Sequence, residues 1–85
     1  MSVNLIKNIL KKESPSFNEL IDCFEQVKRN GNVVVIKFDG ERSENGYTIF
    51  ISFPLLKNKE MIREDTNDLK TGLMKALSKY LEIFS

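Results

Sequence analysis

"GNVVVIKFDGERSENGYTIFISFP", residues 31–54, decides the fold, because two apolar runs alternate in step across a charged loop. "VVVIKFD" and "YTIFISF" are rich in β-branched and aromatic residues and bounded by glycines, which predicts two strands joined as a hairpin. Val34, Ile36 and Phe38 share one face of the first strand; Tyr47, Ile49, Ile51 and Phe53 share one face of the second. If both sets face the core, Phe38 lies opposite Tyr47, Ile36 opposite Ile49, and Val34 opposite Ile51. A one-residue slip would turn half of these side chains into water, so the pattern sets the register. The same register places Val35 opposite Phe50, Lys37 opposite Thr48 and Val33 opposite Ser52. Val33, Val35 and Phe50 then form an apolar island on the face expected to be polar. Such an island is either incidental surface apolarity or a contact patch for a partner or a second copy.

Between the strands, Asp39 stands opposite Gly46 with six residues forming the turn, and Gly40 and Asn45-Gly46 are expected to supply its φ > 0 positions. Asp39, Glu41 and Glu44 surround Arg42 there, a charged tip suited to contacting a partner. The alternating ligand positions of a calcium loop are missing, and acids between Gly40 and Gly46 would repel phosphate.

Upstream, "SFNELIDCFEQVKRNGN" (16–32) predicts a helix opened by a Ser16/Glu19 capping box and stopped at Gly31. Phe17, Leu20, Ile21, Phe24 and Val27 give it an apolar stripe, with Cys23 on the flank as a small buried hydrophobe. Glu19, Asp22 and Glu25 recur every three residues opposite the stripe, either a solvated surface or a docking strip for a basic partner. "VNLIKNILKK" (3–12) predicts a short helix docked on the core through Val3, Leu5, Ile6, Ile9 and Leu10.

Downstream, "EMIR" (60–63) supplies a short third strand or only a buried Met61 and Ile62. "TNDLKTGLMKALSKYLEIF" (66–84) predicts a final helix capped by Thr66 or Asp65, with Gly72 permitting close packing on the sheet. The expected architecture is a single α+β domain over residues 1–85, ordered α-α-β-β-(β)-α, with helices on one face of a small antiparallel sheet. If only two strands form, two chains would have to join hairpins, so a homodimer is an alternative.

Composition narrows the chemistry. Lys and Arg number 13 against 12 Asp and Glu, a net charge of +1 that gives no general attraction to nucleic acid or anionic membrane. Lys70, Lys75 and Lys79 form only a partial basic stripe without stacking aromatics, so nucleic acid is not the expected partner. The absence of His and the single Cys remove the usual zinc, copper and haem ligand sets and any Ser-His or Cys-His nucleophile. No metal, cofactor or catalytic residue is therefore assigned. No apolar stretch approaches the roughly 20 residues needed to cross a bilayer, and a cytoplasmic location is expected.

The segment 31–54 followed by "MIREDTNDLKTGLMKALSKYLE" resembles the very short α+β immunity proteins encoded beside bacterial contact-dependent and polymorphic toxins. The resemblance covers about the last two-thirds of the chain and rests on size, element order and surface character. It implies cytoplasmic binding of one cognate toxin domain, often a nuclease, with acids such as Glu19, Asp22 and Glu25 set against a basic toxin. The near-neutral charge departs from the strongly acidic members of that group. The alternative is a small phage or bacterial regulatory protein that binds nucleic acid or inhibits an enzyme as a dimer.

Overall fold

The computed structural model describes residues 2–84. The chain runs α1 (Asn4–Leu10), α2 (Phe17–Arg29), β1 (Val33–Phe38), β2 (Tyr47–Ser52), β3 (Ile62–Thr66) and α3 (Leu69–Phe84). The strands form one antiparallel sheet in the order β1-β2-β3. This is the α+β architecture expected, with the third strand present.

The β1–β2 register is the one read from the alternation: Val34 pairs with Ile51, Ile36 with Ile49, Phe38 with Tyr47, and Val35 with Phe50. Ile49 and Ile51 are fully buried, whereas Val34 and Ile36 are half-buried and Phe38 is 67% exposed. The inward row of β1 therefore lies at the margin of the core, and Phe38 packs edge-on against Tyr47 with ring centroids 5.3 Å apart.

β3 lies further along the chain than "EMIR". Ile62 pairs with Ile51, Arg63 with Phe50, Glu64 with Ile49, Asp65 with Thr48 and Thr66 with Tyr47. Asp65 and Thr66 are thus strand residues and do not cap the last helix. That role falls to Asp68, whose carboxylate accepts hydrogen bonds from the Thr71 amide at 2.9 Å and the Thr71 hydroxyl at 2.6 Å. Met61 is 55% exposed rather than buried, because the alternation that turns Ile62 inward turns its neighbour outward.

α2 begins with the predicted capping box: Ser16 Oγ accepts from the Glu19 amide at 3.1 Å, and Glu19 Oε1 accepts from the Ser16 amide at 2.9 Å. Its end is a Schellman motif, with the Asn32 amide bonded to the Val27 carbonyl and the Gly31 amide to the Lys28 carbonyl. Gly31 has φ +92°, the left-handed conformation this stop requires. The buried stripe differs from the one expected. Leu20, Cys23, Phe24 and Val27 face the core, while Phe17 and Ile21 are 49% and 45% exposed. Both sets satisfy helical spacing; α1 and α3 pack against α2 and select the arc containing Cys23.

Turn geometry also departs from expectation. Between Asp39 and Gly46 only Asn45 has positive φ, at 53°, a conformation its short polar side chain tolerates. Gly46 is needed for space instead: a Cβ there would lie 3.3 Å from the Asp39 carbonyl oxygen.

Burial pushes the Cys23 thiol up to about 11, with the charges of Asp22 and Glu19 adding to the effect. The thiolate is the reactive form, so a disulfide reagent at about pH 8 is expected to leave Cys23 untouched in the folded chain and to titrate it fully in denaturant. Rapid labelling of native protein would contradict this packing.

Candidate partner-binding face

α2 contacts β1, and α3 contacts β2 and β3, so the helices lie against one face of the sheet. The other face is a grid of eight positions set by the two registers and the alternation. Val33 and Ser52 occupy one end, with exposed Met61 immediately before β3; Val35, Phe50 and Arg63 the middle; Lys37, Thr48 and Asp65 the loop end. Val33 and Val35 are 48% and 50% exposed and Phe50 is half-buried, so the predicted island stands in solvent. Arg63 crosses it, with its guanidinium carbon 5.3 Å from the Phe50 ring centroid.

At the loop end the same face is closed by charge. Asp39 pairs with Lys37 at 3.3 Å and with Arg42 at 3.4 Å; Arg42 reaches Asp65 at 3.0 Å, and Arg63 meets Asp65 at 3.0 Å. Beneath this chain, Thr48 donates its hydroxyl to Asp65 at 2.7 Å and is only 1% exposed. The Glu41 amide donates to Asp39, and the Asn45 amide to Asn67 at 2.6 Å. The 39–46 loop is therefore clipped onto the sheet. Asp39 and Arg42 act first within the molecule, organising this edge of the face, while Glu41 and Glu44 remain exposed. Sequence reasoning missed Arg63 and Asp65; continuing the alternation past Ile62 would have placed both beside Phe50 and Thr48.

Hydrogen bonds from Thr48, Arg63 and Arg42 hold the Asp65 carboxyl well below the usual carboxylate range. The Glu41 amide and Lys37 lower Asp39, and Thr71 lowers Asp68. A lowered folded-state pKa contributes stability above the unfolded value and loses it as pH falls toward the folded one. With no histidine in the chain, the melting midpoint should be level from about pH 8 to about pH 5 and fall below about pH 4. Asp65→Asn should flatten that acid arm, as measured by melts across pH; an unchanged arm would remove Asp65 as a contributor.

The acids of α2 do not join this face. Glu19 is engaged by Lys12 and by its own cap, which lower its pKa. Asp22 and Glu25 are exposed on the helix layer, opposite the arc that packs inward. One flat contact cannot cover both them and the Val33/Val35/Phe50 island. Of the α3 lysines, Lys79 is paired with Glu64 and Lys70 bonds Ser14, which breaks up the basic stripe. Among the described residues no group of three His, Cys, Asp or Glu side chains is placed to hold a metal ion, and no helix is long and apolar enough to cross a membrane.

The chain matches no known protein family, no curated protein and no solved structure.

Proposed function

We propose that this chain is a binding protein rather than an enzyme: an immunity protein that neutralises a cognate bacterial toxin domain in the cytoplasm by holding it on the outer sheet face. One observation carries the reading. A sheet face without a helical cover exposes Val33 and Val35 beside Phe50, with exposed Met61 just before β3, flanked by charged groups already fixed by one another. An apolar centre beside a preorganised polar margin is the anatomy of a protein contact, in which few buried groups dominate the energy. The charges of the margin are held before binding, so less ordering cost falls on association.

Titration calorimetry against the product of the adjoining reading frame, the expected toxin domain, tests the reading. Val35→Glu with Met61→Glu should weaken binding at least about tenfold, since an unpaired charge would enter the contact. Reversing Asp22 and Glu25 to Lys on the far layer should leave affinity within about threefold. The opposite ranking would move the contact to α2.

A further inference from the structure

We infer that the open edge of β1, beneath α2, receives an extended segment of the partner as a fourth strand; this rests on the protein-binding reading above. The Asp39 amide bonds the Gly46 carbonyl at 2.7 Å, so Asp39 directs its main-chain groups toward β2. By the alternation of an antiparallel ladder, Lys37, Val35 and Val33 do the same. Phe38, Ile36 and Val34 therefore direct three N–H and three C=O groups to the open edge, and among the described residues no other element bonds them.

The two edges of the sheet are not equivalent. β3 carries Arg63, Glu64 and Asp65 within five residues, and Glu64 shares the inward side with Ile62 and is tied to Lys79. Charges on an edge, inward ones above all, discourage strand addition. β1 reads VVVIKF, with one charge and neither proline nor glycine. It is the unprotected edge.

What lies above that edge selects the occupant. α2 touches β1 alone among the strands, while α3 sits on β2 and β3. Packed helices stand about 8–10 Å apart and strands about 4.8 Å apart, so α2 is placed over or just outside β1. The α2 flank bearing Asn30 faces α3, through its 2.9 Å bond to Tyr80. Ile21, 45% exposed, lies on the other flank of α2; on the sheet, Ile36 is half-buried and Phe38 67% exposed. A second copy does not fit there. Two-fold pairing of β1 would bring the two α2 helices to about one strand spacing, roughly half the distance packed helices need. A bare strand fits, with an apolar residue at alternate positions turned toward Ile21 and Ile36. Glu41 and Glu44, exposed beyond the Phe38 end, favour a Lys or Arg just past that end of the segment.

The probe is a synthetic peptide carrying the consensus of random dodecapeptides selected by phage display on the intact chain. The expected consensus alternates apolar residues and places a basic residue near one end. At saturation it should slow amide exchange of Val34, Ile36 and Phe38 at least tenfold, read by NMR. Ile21→Glu should weaken the peptide at least tenfold, whereas Met61→Glu, just before the far strand, should leave it within threefold. No enrichment, or protection elsewhere, would overturn the inference. So would a dimer of the chain alone at micromolar concentration that Ile21→Glu dissociates. If Met61→Glu weakens the toxin domain but Ile21→Glu does not, the edge inference fails while the outer-face reading stands.

Discussion

Gly72→Ala is expected to lower the melting midpoint, although alanine is the better helix former by about 0.8–1.0 kcal/mol. A Cβ at Gly72 would lie 2.4 Å from Thr66 Cγ2 and 2.8 Å from Ile49 Cδ1. Overpacking a filled core costs about 1–3 kcal/mol, so the net loss is about 1 kcal/mol, or roughly 4–8 °C in a domain of this size. Gly72→Val, with two further methyl groups at the same point, should abolish cooperative folding. Thr66→Ser removes the nearest methyl and should restore much of the Gly72→Ala loss in the double variant, a coupling that a propensity effect alone would not show. The contact matters because it seats α3 on β2 and β3. A stabilised Gly72→Ala variant would mean that α3 stands further off the sheet.

Tyr80→Phe is expected to cost about 1–3 kcal/mol, lowering the midpoint by roughly 10 °C. The Tyr80 hydroxyl donates to Asn32 Oδ1 at 2.7 Å and accepts from Asn30 Nδ2 at 2.9 Å. Asn32 is 5% exposed, so losing this donor leaves a buried amide oxygen without its bond. Asn30 also bonds Gln26 and the backbone of Ser2, joining the end of α2, α3 and the start of the chain. Around the ring, Phe53 stacks with its centroid 6.1 Å away and Phe84 packs tilted at 4.7 Å, contacts that phenylalanine keeps. The variant therefore isolates the hydroxyl. A loss below about 0.5 kcal/mol by thermal and urea denaturation would show that water satisfies Asn32.

The hairpin was legible because side-chain alternation on two strands leaves one register that buries Ile49 and Ile51. β3 was harder to place. "REDT" looks like a polar connector until pairing with β2 turns Glu64 and Thr66 inward and Arg63 and Asp65 outward. On α2, two overlapping stripes of equal spacing compete, and only the positions of α1 and α3 decide that Cys23 is buried and Ile21 exposed. Arg42 and Asp65 lie 23 residues apart, so no local pattern announces the ion pair that closes the loop over Thr48. The acids of α2 were visible in the sequence, but their separation from the outer face is a property of the layers.

The most direct test is growth protection. The product of the reading frame adjoining this chain's, the expected toxin, is induced in cells carrying the native chain or Val35→Glu with Met61→Glu at matched soluble levels. The native chain should restore growth, and the double variant should fail while retaining a native melting transition. Full protection by the double variant, or no toxicity to protect against, would contradict the role assigned to the outer sheet face.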